Sequence, residues 1–307
     1  MSAVTEVWQV EGHALELTHL DKLFWPDAGF TKRDMLRYYQ QIAPIALPHF
    51  QDRPVTLRVF PETAASGSFY QRERQAYAPP WLAGASYQPR SSATGAGETR
   101  TITLPLVNNS ASLLWLANGG CVEFHLWSAR VTRLDQPDLA IFDLDLGEQV
   151  PFTRALEAAL RLRDQLEQAG IASYPKTSGG RGIHVYAPLA PVHSYADVRR
   201  WVKATAQQLA ERRPALVTVA SGSTHRGDAV TIDYAQNSIG RNTAAPYTIR
   251  AGASRPQISM PLSWEEIAEG GIHPADMTPQ LALERAQTLG DLFAPALLAS
   301  QRLPARS

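Results

Sequence analysis

A short apolar segment that ends in two carboxylates constrains this chain more than any other feature. The segment, Ala140–Asp145 (AIFDLD), has the composition of a buried strand. Residues two apart on a strand point to the same face, so Asp143 and Asp145 are expected to share one site while Phe142 and Leu144 enter the core. Hard carboxylate oxygens are the ligands that Mg²⁺ and Mn²⁺ prefer. The pair therefore predicts a metal site, although a solvated strand end would show the same pattern.

A second acidic strand follows later in the chain. Val230–Tyr234 (VTIDY) is rich in β-branched residues and carries Asp233. Three carboxylates on neighbouring strands can hold two divalent ions, which activate an attacking oxygen and stabilise a phosphoryl leaving group. We therefore predict that the catalytic and metal-binding residues are Asp143, Asp145 and Asp233, with two Mg²⁺ or Mn²⁺ ions as cofactors.

A glycine-rich segment lies between the two acidic strands. In Lys176–Val185 (KTSGGRGIHV), the glycines let backbone N–H groups approach an anion closely. Arg181 can bind phosphate oxygens with two hydrogen bonds, and Ser178 and His184 add further donors. The spacing is neither that of a Walker loop nor that of a dinucleotide fingerprint, and a glycine-rich hairpin with an incidental arginine is the alternative. Together with the carboxylates, the segment favours a nucleotidyltransferase.

The composition of the chain limits which classes of protein it can belong to. The chain has 307 residues, 44% of them hydrophobic, and a formal net charge of zero. A DNA site would therefore be a local basic patch. A single cysteine, Cys121, argues against a disulfide framework and favours a reducing cytosol. No apolar run reaches membrane-spanning length, and no signal peptide precedes the first strand, so we expect a cytoplasmic protein that has no membrane partner.

Secondary-structure signals predict a mixed α/β (α+β) chain. Thr31 with Asp34 has the form of a capping box, and the helix after it is predicted to run from Lys32 to Ala43 and to stop at Pro44. A further helix is predicted from Tyr195 to Arg212. Strands and helices alternate from residue 101 to residue 250, which favours a sheet with helices outside it.

Three motifs in this order resemble the archaeo-eukaryotic primase superfamily, in particular the polymerase domain of bacterial ligase D, an enzyme of non-homologous end joining. They are FDLD at 142–145, KTSGGRGIH at 176–184 and IDY at 232–234. The likeness extends from about His19 to Glu266. One departure is Leu146, where the family usually has proline; this changes the exit from the strand and leaves the carboxylates in place.

The resemblance implies a primase-like mixed-sheet core with flanking helices and an N-terminal subdomain packed on it. We expect one module over 1–307, divided into an N-terminal DNA-end-binding subdomain (about 1–105), a catalytic core (about 106–262) and a C-terminal helical segment (263–307). The implied function is DNA-dependent nucleotide addition, with ribonucleotides preferred, at gaps and broken ends bearing a 5′-phosphate. Implied partners are DNA, nucleoside triphosphates, Ku and a DNA ligase.

Individual positions follow from the same resemblance. The predicted nucleotide-binding residues are Ser178, Gly179, Arg181, His184, Gln236, Arg250, His125, Arg58 and Phe69. The predicted DNA-binding residues are Lys22, Lys32, Arg72 and Arg226, of which the two lysines would hold a downstream 5′-phosphate. Aromatic side chains beside basic ones, as in Ser68–Arg72, also suit single-stranded nucleic acid. The polar loop from Pro89 to Arg100 would contact the DNA end.

Two other functions are considered. A haloacid-dehalogenase-like phosphatase also places Asp-x-Asp after an apolar strand, with Asp143 as nucleophile, but it leaves the segment from Ser178 to His184 unexplained. A catalytically inactive module that bridges DNA ends is the second alternative, and the presence of all three carboxylates argues against it.

Overall fold

Strands and helices alternate along the chain, as the sequence predicts. The computed structural model describes residues 4–88, 100–220, 227–252, 254–298 and 301–304. The strands are β1 (Glu6–Val10), β2 (His13–Leu17), β3 (Leu23–Trp25), β4 (Phe30–Thr31), β5 (Val55–Val59), β6 (Phe69–Gln71), β7 (Gly84–Tyr87), β8 (Ile102–Pro105), β9 (Cys121–Leu126), β10 (Leu139–Asp145), β11 (Tyr174–Thr177), β12 (Ile183–Pro188), β13 (Val217–Ala220), β14 (Val230–Asp233), β15 (Thr243–Ala244), β16 (Ile249–Arg250) and β17 (Gln257–Ile258). The α-helices are α1 (Lys32–Phe50), α2 (Ser110–Asn118), α3 (Phe152–Gln168), α4 (Tyr195–Arg212), α5 (Trp264–Glu269) and α6 (Pro279–Leu289).

The acidic strand β10 lies at the centre of a five-stranded sheet. The strand order is β11-β12-β10-β14-β13, and every pair is antiparallel except β13 with β14. Helices α3 and α4 pack on one face, where the Phe142 ring meets that of Trp201 at 5.6 Å. Because side chains alternate along a strand, this packing turns the odd-numbered residues of β10 to the opposite face.

A second sheet faces the polar side of the first across a cleft. It has four strands in the order β15-β9-β5-β6. The central strand β9 is buried along its whole length. Phe124 packs edge-on against Tyr39 and Phe50 of α1, so its neighbours Glu123 and His125 point away from that helix. Cys121 is buried and unpaired, as expected of a core residue.

Helix α1 is longer than the sequence predicts. Its capping box forms as expected, with Thr31 and Asp34 exchanging hydrogen bonds. The predicted end at Pro44 is wrong, because the helix continues through Pro44 and Pro48 to Phe50. An internal proline removes a backbone hydrogen bond and costs about 3 kcal/mol. Burial of Ala46 and Phe50 in the last two turns offsets that cost.

The other main elements agree closely with expectation. Helix α4 has the predicted bounds, and the predicted strands are present with ends shifted by a few residues. Contacts cross both predicted subdomain boundaries, because the four-stranded sheet contains strands from before and after residue 105, and α1 packs against α6. The division of the chain at residues 105 and 262 stays a prediction. Within the described ranges, no helix is both long and apolar enough to cross a bilayer.

Candidate active site

One row of polar side chains crosses the five-stranded sheet. Lys176 of β11 pairs with His184 of β12, His184 pairs with Asp143 of β10, and Asp143 pairs with Asp233 of β14. Directly paired residues lie on the same face of a sheet. The register thus brings four residues, one from each of four strands, into one line on the cleft face.

The carboxylates gather where β10 and β14 end. Asp145 lies two residues after Asp143 and opposite Thr231, so the expectation of a shared face is confirmed. Asp143 is buried, and its Oδ1 lies 3.2 Å from Nε2 of His184 without accepting a well-directed hydrogen bond. Burial raises the pKa of Asp143 to about 6, against the opposing effect of Lys176 and of the Gln236 hydrogen bond.

This environment suits a cation. A buried carboxylate oxygen that accepts no hydrogen bond is costly unless a positive charge compensates it. No three of the His, Cys, Asp and Glu side chains in the described ranges converge as a ready-made metal site. Oδ1 of Asp233 accepts the N–H of Ala235 at 2.7 Å and so caps the 3₁₀ helix Tyr234–Asn237. The chemistry of the donor set, hard carboxylate oxygens beside a buried oxygen that accepts no hydrogen bond, suits a divalent ion.

The glycine-rich segment forms a tight loop between β11 and β12. The Ser178 hydroxyl accepts the N–H groups of Gly180 and Gly182, each at 3.1 Å, and can still donate its own hydrogen. A Cβ at Gly182 would lie 2.4 Å from the carbonyl oxygen of Leu144. Gly179 has φ +73° and packs against the Arg250 side chain. The glycines therefore allow the loop to lie directly on the end of β10.

Lys176, itself held by Ser259, orients the His184 ring. Lys176 is fully buried, and its Nζ lies 2.9 Å from Nδ1 of His184 and 2.5 Å from Oγ of Ser259. Burial and the charge of Arg250 lower the pKa of Lys176 well below its usual value. When Lys176 is protonated its ammonium can only donate, so Nδ1 accepts and the neutral ring carries its hydrogen on Nε2. Burial, together with the charges of Lys176 and Arg250, keeps the pKa of His184 well below its usual value. His184 is thus held as a neutral donor that points into the cleft.

A solvent-accessible cleft of about 480 Å³ lies between the two sheets. Nine predicted site residues line it, namely Arg72, His125, Asp143, Asp145, Ser178, Arg181, His184, Gln236 and Arg250. Two further predicted residues contact lining residues, since Asp233 pairs with Asp143 and Gly179 packs against Arg250. Arg58 lies over the ring of Tyr70, which also lines the cleft. Arginine and carboxylate groups therefore face each other across one space, as a metal-bound triphosphate requires.

The remaining predicted residues lie elsewhere. Phe69 pairs with Val59 and Tyr70 pairs with Arg58, so Phe69 is on the face of β6 that points away from His125. It is Tyr70 that lines the cleft, with its ring 5.7 Å from that of His125. Arg226 and residues 89–99 of the predicted DNA-end loop lie outside the described residues.

Lys22 and Lys32 form a separate basic pair near the start of α1. Nζ of Lys32 donates to the Thr18 carbonyl at 2.7 Å, while Lys22 bonds the Pro61 carbonyl and lies 3.5 Å from Glu62. Burial, assisted by the neighbouring charge of Lys22, lowers the pKa of Lys32 to about 8. The structure thus brings the two ammonium groups close enough to repel each other, which is the arrangement that an anion would stabilise.

Sequence reasoning missed three residues that shape this site. Tyr70 could have been found from strand alternation, since it shares a face with Arg72. Lys176 could have been found by pairing β11 with β12 across the five-residue loop 178–182, because that pairing places Lys176 opposite His184. Glu123 gives no such signal, because its importance comes from the arginines that reach it from β5 and β16.

Fold and site together define a nucleotidyltransferase of the primase-polymerase class. The sequence profile described as "LigD, primase-polymerase domain" matches residues 31–293. The chain belongs to this LigD primase-polymerase family, whose members are DNA-directed nucleotidyltransferases of non-homologous end joining. The mixed α/β fold expected from the resemblance is likewise confirmed.

Similar proteins support the assignment. The chain is 33% identical over 291 residues to the multifunctional non-homologous end joining protein LigD of Mycolicibacterium smegmatis, covering 94% of this chain and 37% of that protein. It is 29% identical over 280 residues to the bifunctional non-homologous end joining protein LigD of Bacillus subtilis, covering 91% of this chain and 43% of that protein. The chain therefore spans well under half the length of these relatives.

A solved structure has the same fold. The polymerase domain from Mycobacterium tuberculosis ligase D, in complex with DNA, superposes with a TM-score of 0.84 and 30% identity. The match covers 93% of this chain and 99% of that one.

Proposed function

We propose that this chain extends a primer 3′ end with nucleotides, ribonucleotides being preferred, at gaps and broken ends of DNA. The observation that carries the proposal is the position of the three carboxylates. Asp143 and Asp233 are paired in register, Asp145 shares their face, and the glycine-rich loop is packed against the end of the same strand. A site for cations and a site for phosphate thus adjoin each other in one cleft.

Asp143, Asp145 and Asp233 would hold two divalent ions, Mn²⁺ or Mg²⁺. Bound there, the ions would lower the pKa of the primer hydroxyl and offset charge on the leaving pyrophosphate. A cation bound there would offset the burial that raises the pKa of Asp143 to about 6, because a nearby positive charge favours the ionised carboxylate.

The loop side of the cleft would bind the triphosphate. Arg181 is exposed at the tip of the loop. Arg250 stabilises the loop by donating a 2.6 Å hydrogen bond to the Ser178 carbonyl. Neutral His184 donates from Nε2 without needing to be charged. Charge-assisted contacts of this type contribute about 1.5–3 kcal/mol each.

The opposite wall and the basic pair would bind DNA. The exposed Tyr70 ring and Arg72 offer stacking and phosphate contacts to a template strand, and Lys22 with Lys32 would hold the downstream 5′-phosphate. By family analogy, Ku and a DNA ligase would act with the chain at a break. The predicted cytoplasmic location stays a prediction.

Incorporation on a gapped duplex tests the proposal. The unaltered protein should extend the primer with each metal tested, faster with ribonucleotides, and Asp143→Ala should lose at least about a thousandfold of that rate because it removes cation binding. Incorporation by Asp143→Ala at the unaltered rate would contradict the proposal. Phosphate release from a simple phosphomonoester without incorporation would favour the phosphatase. Duplex binding without either reaction would favour the bridging module.

A further inference from the structure

Glu123 is a buried carboxylate that the reaction described above does not use. It lies on the central strand β9 with no exposed surface. Its Oε1 accepts hydrogen bonds from Nη1 of Arg58 at 3.0 Å and from the N–H of Ala251 at 2.9 Å. Its Oε2 lies 3.0 Å from Nε2 of His125 and forms an ion pair with Arg250, whose Nε is 3.0 Å away but makes no well-directed hydrogen bond. Both oxygens are therefore engaged, each with more than one partner.

These partners belong to opposite walls of the cleft. Arg58 lies on β5, donates to Ser68 and stands 5.7 Å above the Tyr70 ring. Arg250 lies on β16 and donates to the Ser178 carbonyl of the glycine-rich loop. One carboxylate thus joins the wall that carries Tyr70 to the loop that we assign to the triphosphate.

The charge balance keeps Glu123 ionised. Burial alone would raise its pKa, but Arg250, His125 and the Ala251 N–H together lower it to about 2. A carboxylate in this state keeps two flexible guanidinium groups in fixed orientations, and a fixed orientation reduces the entropy lost when a ligand binds.

We infer that Glu123 is a positioning residue for the incoming nucleotide, which holds Arg250 in place for the triphosphate and Arg58 in place beside Tyr70. The inference rests on the proposed nucleotidyl transfer, since it assigns the cleft to a nucleoside triphosphate. Glu123 itself would touch neither the nucleotide nor the metal ions. Its loss should therefore appear in nucleotide binding before it appears in the chemical step.

Glu123→Gln is the first test, because it keeps the shape and removes the charge. We expect KM for the nucleotide to rise about tenfold to a hundredfold, as for the loss of charge-assisted contacts, with a much smaller change in kcat. Affinity for the gapped duplex measured without nucleotide should fall much less than affinity for the nucleotide, because Glu123 reaches the DNA-binding wall only through Arg58. Glu123→Asp restores the charge with a shorter reach, and it should recover part of the lost nucleotide affinity.

Asp138→Asn is the matched control. Asp138 is another largely buried carboxylate held by two arginines, with a two-point contact to Arg53 at 2.5 and 2.8 Å and a contact to Arg130 at 3.0 Å. It lies outside the cleft lining. This variant should lower the melting temperature and leave KM for the nucleotide unchanged, which separates general destabilisation from positioning.

Direct titration with a nucleoside triphosphate and Mg²⁺, on gapped duplex below the melting temperature, separates failure of the proposed nucleotidyl transfer from failure of the positioning role. Absence of incorporation by the unaltered protein would refute the proposed function, while weaker nucleotide binding by Glu123→Gln would still support the positioning role. If folded Glu123→Gln binds nucleotide as tightly as the unaltered protein, the inference is overturned. If Glu123→Gln does not fold, Glu123→Asp decides by the same titration, and unchanged affinity in that variant overturns the inference.

Discussion

Asp143 shows how one residue can serve a site at the expense of the fold. It is buried beside Asp233, and its Oδ1 accepts no well-directed hydrogen bond. A buried carboxylate in such a place lowers the free energy of unfolding. This is the stability–activity trade-off expected at active sites.

Asp143→Asn should therefore make the metal-free protein more stable while abolishing nucleotide addition. The asparagine removes a charge from a buried position, and a gain of about 1–3 kcal/mol in the free energy of unfolding is expected at neutral pH. Thermal unfolding with a chelator present measures the gain. An Asp143→Asn protein that melts at a lower temperature would mean that the carboxylate stabilises the fold.

Lys32 gives a pH dependence to binding of the DNA end. Its pKa of about 8 lies below the usual 10.5 because the group is largely buried near Lys22. Relative to the unfolded chain, burial of Lys32 therefore costs stability that sets in as pH falls below 10.5 and is fully present below about pH 8. A 5′-phosphate would stabilise the protonated form, so the preference for a 5′-phosphate over a 5′-hydroxyl duplex should decline as pH rises from 7 to 9.

Binding titrations on both duplexes measure this preference. Lys32→Arg provides the control, because a guanidinium stays charged over this range, and its preference should hardly change with pH. Lys22→Ala with Lys32→Ala should remove the preference. An equal loss of affinity on the two duplexes would make the lysines general backbone contacts.

At the scale of elements, the glycine-rich loop depends on how closely it lies on β10. Gly182→Ala would place a methyl group 2.4 Å from the Leu144 carbonyl, and backbone on both sides leaves little room to relax. The shift should displace Asp145 and lower kcat by about tenfold to a hundredfold, since misplacement by about 1 Å costs on the order of a hundredfold. Gly67→Ala meets nothing within 4 Å and should behave as the unaltered protein in the same assay. Parental kcat in Gly182→Ala would show that this contact does not position Asp145.

Elements also show what sequence can and cannot predict here. The capping residues of α1 and the bounds of α4 follow from local signals, and the structure has them where expected. The extension of α1 past Pro44 could not be predicted, because it depends on burial against distant segments. Strand alternation predicts that Asp143 and Asp145 share a face, but the pairing of Asp143 with both His184 and Asp233 is a matter of register, which depends on the whole sheet.

For the whole molecule, Asp291 joins the C-terminal segment to the body. Its Oδ2 lies 2.8 Å from Nε2 of His49 on α1, and its Oδ1 accepts the Tyr247 hydroxyl at 2.6 Å and the Phe293 N–H at 2.9 Å. Asp291→Asn should lower the free energy of unfolding by about 1–3 kcal/mol, with KM for the nucleotide unchanged. Thermal unfolding and steady-state kinetics on one preparation give the test, and a change in KM alone would contradict this purely structural role.

Acid should unfold the protein partly through Glu123 and Asp291. Both have a pKa below the ordinary value in the folded state, so the unfolded chain binds more protons as pH falls. Their stabilising contribution is complete above about pH 5 and is lost as pH falls towards 2. Asp143 acts in the opposite direction around pH 6. Denaturant midpoints measured between pH 7 and 3 should therefore fall most steeply below pH 5, and less steeply in Asp291→Asn.

The row of paired residues on β11, β12, β10 and β14 also has a consequence for synthesis of the chain. Its members come from four strands, and Asp233 and Arg250 are translated long after Asp143. A nascent chain that ends before β14 has Asp143 but lacks its partner, and one that ends before β16 lacks Arg250. Nucleotide addition should therefore begin only after β16 has left the ribosome, which makes the activity itself a marker for completion of the cleft rather than of this sheet alone.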